Sequence, residues 1–222
     1  MAIVEHYRPA ADLRAIEKTP RHVLDLPTIA ACFPDACFVN VVRHPIDVAS
    51  SLMGVPFEPS RSVLSYASRW TESVLAARAF DGRVLTVVYE TLVRAPEATT
   101  RELCAFVDLP YEPAMLEEFG REAQRNIGRG ETWKDDISKG VLLNRSGVWR
   151  ERMTPGQAWL VAQATRGLRG EFGYDGVSAP VTSILGAAAG EFGVRFREAR
   201  ASTGVVGAAR HAGSVLKALA PA

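Results

Sequence analysis

The chain has 222 residues, of which 47% are hydrophobic and 23% charged, with a formal net charge of +1. These values are typical of a globular protein and exclude a wholly disordered or fibrous one. The balanced charge also excludes a global field that would attract nucleic acid, so any anion site has to be local.

Cysteine usage and hydropathy indicate a chain without disulfides or membrane spans. The three cysteines are odd in number and lack the C-x-x-C spacing of a metal or redox pair. Residues 1–14 contain no apolar signal-peptide core, and no run reaches the roughly 20 apolar residues that a membrane span needs. We therefore expect reduced thiols, no transmembrane segment and a cytoplasmic location.

The first predicted elements are a helix, a strand and a second helix. Residues 17–20 form a charged turn, and apolar residues at helical spacing predict a helix across residues 23–33. Residues 38–42 are apolar and β-branched, which predicts a short buried strand. Pro45 suits the first turn of the next helix, and Asp47 suits the positive N-terminal end of that helix.

A long amphipathic helix and a second strand come next. Between residues 61 and 80, apolar residues recur at alternating spacings of four and three, which predicts a helix with one buried stripe. This stripe consists of Val63, Ala67, Trp70, Val74 and Ala77. Residues 84–88 predict a second buried strand, and Pro96 opens the helix after it.

The second half of the chain contains an irregular stretch and two further helices. Residues 119–145 are rich in glycine and charged residues and poor in apolar ones, so we expect irregular structure there. Thr154 and Gln157 match a capping box, which starts a helix that ends near Gly173. The Ala/Gly-rich tail then predicts one amphipathic helix across residues 184–199.

Strands and helices alternate along the chain, which predicts a parallel sheet flanked by helices. We therefore expect an α/β domain over residues 1–176 and an Ala/Gly-rich helical tail over residues 177–222. In such sheets, ligands bind beyond the carboxyl ends of the strands. This rule singles out Arg43 after the first strand and Tyr89 after the second as candidate ligand-binding residues.

Arg43 and Ser51 have the chemistry of a phosphate site. A guanidinium at a strand end can grip a phosphate through two hydrogen bonds. Ser51 lies about one and a half turns into the following helix, where its hydroxyl can reach the same phosphate. Taken alone, the two residues favour a structural interpretation, in which Arg43 pairs with Asp47 and Ser51 lies on the helix surface.

The wider segment resembles a known nucleotide-binding segment. Residues 33–51, FPDACFVNVVRHPIDVASS, are similar to the 3′-phosphate-binding segment of sulfotransferases that use 3′-phosphoadenosine 5′-phosphosulfate (PAPS). The Arg-x-Pro-x-Asp-x-x-x-Ser pattern, with its spacing between Arg43 and Ser51, matches that family. The resemblance implies that Arg43 and Ser51 bind the 3′-phosphate of the donor nucleotide.

Two further segments resemble family segments that flank this one. Residues 17–22, EKTPRH, are similar to the family's Glu-Lys-Thr-Pro segment, which implies that Lys18 supports the phosphosulfate end of the donor. Residues 88–92, VYETL, resemble the family's Tyr-Glu-Asp-Leu segment. That resemblance implies a position for Tyr89 near the adenine, which a tyrosine can both stack on and hydrogen-bond.

The last such segment is residues 144–150, NRSGVWR, which resembles the family's late Arg-x-Gly-x-Trp loop. In the family, this loop closes over the 3′-phosphate with an arginine and backbone N–H groups. The resemblance therefore adds Arg145, Ser146 and Gly147 to the nucleotide-binding residues. Glycine at this position permits a close approach of the backbone to the phosphate.

The resemblance implies a fold, a reaction and a set of ligands. The fold is the P-loop-like α/β fold, and the reaction transfers a sulfuryl group from PAPS to a hydroxyl or amine and releases 3′-phosphoadenosine 5′-phosphate (PAP). The expected acceptor is a small molecule, a lipid or a carbohydrate, with no role for nucleic acid or a metal. Lys18 is the expected catalytic cation, and His22 and Glu17 are the candidate bases that deprotonate the acceptor.

The chain departs from the family's pattern in its first segment. Residues 1–16 contain no Gly-rich loop of the kind that wraps the 5′-phosphosulfate at a helix N-terminus, so we expect a sheet truncated at the N-terminus. Two other functions stay open. One is a truncated, non-catalytic remnant that binds a nucleotide or a partner. The other is a P-loop-type kinase, which would need the G-x-x-x-x-G-K-[ST] motif that this sequence lacks.

Overall fold

The computed structural model describes residues 15–56, 58–117 and 145–219, with side chains up to residue 201. Its strands are β1 (Phe38–Val42) and β2 (Val84–Val88). Two 3₁₀ turns, Pro20–Asp25 and Gly170–Phe172, accompany the α-helices. The α-helices are α1 (Leu26–Cys32), α2 (Pro45–Met53), α3 (Val63–Ala79), α4 (Tyr89–Arg94), α5 (Pro96–Phe106), α6 (Ala114–Glu117), α7 (Trp149–Arg152), α8 (Pro155–Ala164), α9 (Arg166–Arg169) and α10 (Val181–Leu219).

The two strands form a parallel sheet, as the alternation of elements predicts. Phe38 lies opposite Val84, and Val42 lies opposite Val88. Both strands have the bounds of the apolar runs from which they are predicted. Helices α2 and α3 connect β1 to β2, which is the strand–helix–strand order of an α/β protein. The described chain is therefore a helix-dominated α/β structure around a small parallel sheet.

The first strand is less buried than its composition predicts. Val39 and Val41 are 42% and 56% exposed, whereas Val42 and Val87 are buried. Side chains alternate between the faces of a strand, so Val39 and Val41 share the face of β1 that the described residues leave uncovered. The prediction of a buried strand is wrong for this face, because the one polar residue of β1, Asn40, lies on the opposite face and no polar residue marks the open one.

Helix α3 provides much of the hydrophobic core. All five residues of its predicted apolar stripe, from Val63 to Ala77, are buried. Ser62 is the N-cap residue, and its hydroxyl accepts a hydrogen bond from the backbone N–H of Ser65 at 3.1 Å. The helix packs against α2 and α8. The alternating apolar spacing thus predicts correctly both the element and the face that it buries.

Helix α8 begins with the predicted capping box. The Thr154 hydroxyl accepts from the backbone N–H of Gln157 at 3.2 Å, and the Gln157 side chain accepts from the N–H of Thr154 at 3.0 Å. The helical region ends where predicted, at Gly173, which has a left-handed φ of 72°. It is not one continuous helix, because the backbone leaves helical geometry at Thr165, where φ is −104°.

Tail helix α10 is fastened to the start of α3. The Glu191 carboxylate, which is buried, accepts from the Ser62 hydroxyl at 2.6 Å and from the Val63 N–H at 2.8 Å. Glu198 accepts from the Arg61 N–H at 2.8 Å. Carboxylates are favourable at the positive N-terminal end of a helix. The predicted tail helix therefore exists, and it packs along α8 as well.

Some predictions concern residues that lie outside the described part of the chain. These are the polar N-terminal segment up to residue 14 and nearly all of the expected irregular stretch, residues 118–144. Among the helices that the structure describes, none combines the length and the apolar character needed to cross a membrane.

Candidate functional site

The residues that the sequence places at the two strand ends lie together in the structure. Arg43 follows β1 and Tyr89 follows β2, and the guanidinium carbon of Arg43 lies 4.7 Å from the centre of the Tyr89 ring. Parallel pairing puts both carboxyl ends at one edge of the sheet, which explains the proximity. Trp70 of α3 donates from Nε1 to the backbone carbonyl of Arg43 at 2.9 Å.

A small open cleft lies beside this pair. It brings together three of the predicted nucleotide-binding residues, Arg43, Ser51 and Arg145, which come from two distant segments of the chain. The complete described lining is Arg43, Asp47, Ser50, Ser51, Arg145, Val148 and Arg152. The cleft therefore contains guanidinium and hydroxyl groups, which are the donors that bind phosphate oxygens.

The turn that starts at Arg145 is hydrogen-bonded to the start of α2. Arg43 donates from Nη2 to the carbonyl of Arg145 at 2.6 Å. The N–H of Gly147 donates to Oδ2 of Asp47 at 2.8 Å, and the N–H of Trp149 donates to Oδ1 at 3.2 Å. Gly147 has a φ of 82°, a left-handed conformation that glycine adopts without steric cost.

The lining of the cleft favours an anionic ligand. The lining contains three arginines and one acidic residue, Asp47, which is 3% exposed and lies 3.9 Å from Nη2 of Arg43. Nε of Arg43 is buried and has no hydrogen-bond partner among the described residues. Buried donors are normally paired. A phosphate oxygen would satisfy this donor, so the residues present fit a phosphate-bearing nucleotide.

A part-buried network next to Arg43 joins both strand ends to the segment after the 3₁₀ turn Gly170–Phe172. Glu90 accepts from the backbone N–H of His44 at 3.0 Å and from the Tyr174 hydroxyl at 2.7 Å. Burial raises the pKa of the Tyr174 hydroxyl, and the hydrogen bond to Glu90 raises it further. Tyr174 therefore stays protonated and donates, which fixes the backbone that carries Arg43.

His44 is the N-cap residue of α2. Its Nδ1 accepts from the backbone N–H of Ile46 at 3.2 Å, so the neutral ring carries its proton on Nε2. Burial lowers the pKa of His44, while the carboxylates of Asp47 and Glu90 oppose that shift. We therefore expect a neutral imidazole at physiological pH, in a structural role beside the cleft.

The predicted catalytic group lies elsewhere on the surface. Glu17, Lys18 and His22 are all exposed, and Oε2 of Glu17 is 2.7 Å from Nδ1 of His22. The Thr19 hydroxyl donates to Glu17 at 2.6 Å, and this hydrogen bond lowers the pKa of the Glu17 carboxyl. None of the three predicted residues belongs to the described lining of the cleft. The structure thus groups the two candidate bases with each other and not with Arg43.

Several residues that line the cleft are not among the ligand-binding residues predicted from the sequence. Asp47 is expected from the sequence as a helix-end charge and as a pairing partner of Arg43 but not as a ligand-binding residue, and Ser50 and Arg152 are not selected at all. Asp47 lies one helical turn from Arg43, which is the basis of the expected pairing, and Ser50 adjoins the predicted Ser51. Arg152 follows the turn on α7, and no local pattern connects it with a strand end. Ser146, which is predicted, lies in the same turn and is exposed.

Comparisons with known proteins agree with the resemblance in the sequence. A family model described as "Sulfotransferase family" matches residues 1–113, half of the chain. An uncharacterized protein of Aquifex aeolicus (strain VF5) is 27% identical over 148 residues, which cover 62% of this chain and 19% of that protein. Protein-tyrosine sulfotransferase 1 of Danio rerio is 28% identical over 159 residues, which cover 66% of this chain and 44% of that protein. The chain thus spans less than half of the length of these relatives.

Proposed function

Because the chain belongs to the sulfotransferase family, we propose that it binds PAPS and takes part in sulfuryl transfer to an acceptor hydroxyl or amine. The observation that carries the proposal is the cleft at the carboxyl ends of the strands, which is lined by Arg43, Ser51 and Arg145, together with the buried Nε of Arg43, which has no hydrogen-bond partner among the described residues. Within a P-loop-like arrangement, this edge of the sheet is where a nucleotide binds.

The cleft residues are assigned to the 3′-phosphate end of the nucleotide. Arg43 and Arg145 supply guanidinium donors, and Ser51 supplies a hydroxyl. Arg152 adds a further positive charge. Tyr89, which already stacks with Arg43, is assigned to the adenine.

The residues near the start of the described chain are assigned to the transferred group. When bound, PAPS supplies a sulfuryl group whose bond to a phosphate oxygen breaks as a bond to the acceptor oxygen or nitrogen forms. Lys18 then offers an ammonium to the charge that develops on the leaving phosphate. Glu17, whose pKa is lowered, is ionised at neutral pH and accepts the acceptor proton, either directly or with His22.

The proposed acceptor belongs to one of several chemical classes. Small molecules, lipids and carbohydrates are all included, because each carries a hydroxyl or amine that a carboxylate or imidazole can deprotonate. The Danio rerio relative is named as a protein-tyrosine sulfotransferase, so a peptide tyrosine joins the set to be tested.

Thermal unfolding of the full chain in the presence of PAP tests the nucleotide site. A ligand that binds only the folded state adds about 2.7 kcal/mol of stability at roughly 100 times its Kd. We expect PAP to raise the Tm of the wild type and to leave that of Arg43→Ala unchanged. Arg101→Ala is the matched control, because Arg101 is exposed on α5, where it pairs with Glu97 at 2.8 Å.

The outcomes separate site-specific binding from general charge effects. A shift with PAP that survives in Arg101→Ala and disappears in Arg43→Ala supports the proposal. No shift in a folded wild type, or an equal shift in both variants, contradicts it.

A second function is favoured by one observation. Lys18 and the candidate bases lie outside the described lining of the cleft, so a chain that holds the nucleotide without transferring sulfate is the alternative. Incubation with ³⁵S-labelled PAPS and a mixture of small-molecule, lipid, carbohydrate and peptide-tyrosine acceptors distinguishes the two functions. An enzyme transfers the label to an acceptor, whereas a chain that only binds the nucleotide does not.

A further inference from the structure

We propose that Asp47 is the positioning residue of the cleft, which holds the Arg145–Gly147 turn in place and thereby sets the affinity for the nucleotide. This inference rests on the proposed function, because the ligand is the same 3′-phosphate nucleotide. The charge of Asp47 alone would not suggest this positioning role, because a carboxylate in an anion site repels an anionic ligand.

The geometry of Asp47 matches two donors that lie in the opposite segment. Its Oδ2 accepts from the N–H of Gly147 at 2.8 Å, and its Oδ1 accepts from the N–H of Trp149 at 3.2 Å. An ionised carboxylate accepts on both oxygens, whereas an amide has one oxygen and one NH₂ group. Asp47 is therefore chemically matched to this turn in a way that asparagine is not.

The burial of Asp47 increases the contribution of these two hydrogen bonds to the stability of the turn. Asp47 is 3% exposed, and the turn carries Arg145 into the cleft. Removing the carboxylate would leave these two part-buried N–H groups without their acceptor. Arg43 adds a third link, because it donates from Nη2 to the Arg145 carbonyl at 2.6 Å and lies 3.9 Å from Asp47. Loss of Asp47 would thus remove two hydrogen bonds that hold the turn against α2 and loosen the turn.

Two accounts of Asp47 predict opposite signs for Asp47→Asn. If the residue acts only through its charge, removing a negative charge from the cleft tightens the binding of an anionic nucleotide. If it positions the turn, the same substitution sets an NH₂ group against an N–H donor and weakens binding. Loss of a hydrogen bond to a charged group costs about tenfold or more in affinity, so we expect the nucleotide to bind Asp47→Asn more weakly by about that factor.

The substitution has a matched control and a second variant. Glu151→Gln removes the same charge from an exposed residue close to the turn, with no described hydrogen bond to Gly147 or Trp149 lost. Asp47→Glu keeps the charge and displaces both acceptor oxygens by one methylene. The positioning account predicts weaker PAP binding for both Asp47 variants and unchanged or tighter binding for Glu151→Gln, as measured by titration calorimetry at fixed ionic strength.

Amide hydrogen exchange of the nucleotide-free chain gives a readout that needs no ligand. We expect the N–H groups of Gly147 and Trp149 to exchange at least about tenfold faster in Asp47→Asn than in the wild type, and at the wild-type rate in Glu151→Gln. Circular dichroism identifies the folded samples. Asp47→Glu takes the place of Asp47→Asn if the latter does not fold.

Each outcome decides the question. Faster exchange together with weaker PAP binding in the Asp47 variants supports the inference. Unchanged exchange, or PAP binding as tight as that of the wild type, overturns it and leaves the proposed function standing. A wild type that does not bind PAP overturns the proposed function and this inference together.

Discussion

At the scale of single residues, His44 links the cleft to the pH dependence of stability. Burial holds its pKa in the folded chain below the unfolded value of about 6.5. The unfolded chain therefore takes up a proton first as the pH falls. The stability that the neutral ring contributes is complete above about pH 6.5 and is lost as the pH falls through the lowered folded pKa.

The lowered pKa of His44 predicts a weaker pH dependence of stability in His44→Asn. Asparagine can still cap α2, but it does not titrate. We expect the Tm of the wild type to fall more steeply than that of the variant between about pH 7 and pH 5, as followed by circular dichroism. The carboxylates that titrate in this range are common to both proteins, so the difference in slope isolates His44. Parallel Tm profiles would contradict the lowered pKa.

The site residues differ in how far the sequence alone identifies them. Arg43 and Tyr89 follow apolar runs, and the rule for parallel sheets places them at a ligand edge. The contact between Asp47 and Gly147 joins residues that are far apart in sequence, and only the folded chain brings them to 2.8 Å. The buried Nε of Arg43 is likewise a property of tertiary packing, which no local pattern encodes.

At the scale of elements, the contact between α8 and α10 depends on a glycine. Gly156 is buried near the start of α8, and its N–H donates to the Ser183 hydroxyl at 2.9 Å. A methyl group on Gly156 would lie 2.5 Å from the carbonyl carbon of Ser183 and 2.9 Å from Cβ of Ala187. Close approach of the two backbones is therefore the reason for glycine here.

We predict that Gly156→Ala lowers the free energy of unfolding by about 1–3 kcal/mol, because the two helices have to separate. Gly167→Ala is the control, since a methyl group on Gly167 meets nothing within 4 Å in the described chain. The control is expected to be neutral or stabilising by up to about 1 kcal/mol. Urea denaturation measures both variants, and equal stabilities would show that the helices are not in this close contact.

Elements with strong periodicity are predicted best. The spacing of apolar residues predicts α3 and its buried face, and the capping box predicts where α8 starts. The exposure of Val39 and Val41 is not predicted, because it depends on which segments cover the sheet. The anchoring of α10 by Glu191 is missed for a similar reason, since its partners belong to the distant helix α3.

At the scale of the whole molecule, the candidate nucleotide cleft is lined by residues from separate segments of the chain. Arg43, just before α2, and Ser51, near the C-terminal end of that helix, come from one segment, and the turn before α7 supplies Arg145. The family model matches residues 1–113, so this turn lies beyond the matched part and is connected to it by the contacts of Arg43 and Asp47. The chain spans 44% of the length of its Danio rerio relative, and the proposal for it is accordingly centred on the nucleotide site.

Recognition of a 3′-phosphate is the central claim, and a pair of isomers tests it most directly. PAP and adenosine 2′,5′-bisphosphate carry the same charge and differ in the position of one phosphate. Titration calorimetry of the full chain at fixed ionic strength compares their affinities. We predict that PAP binds at least about tenfold more tightly, because the guanidinium donors of the cleft are fixed in direction. Equal affinities, or no binding of PAP to the folded chain, would contradict the account.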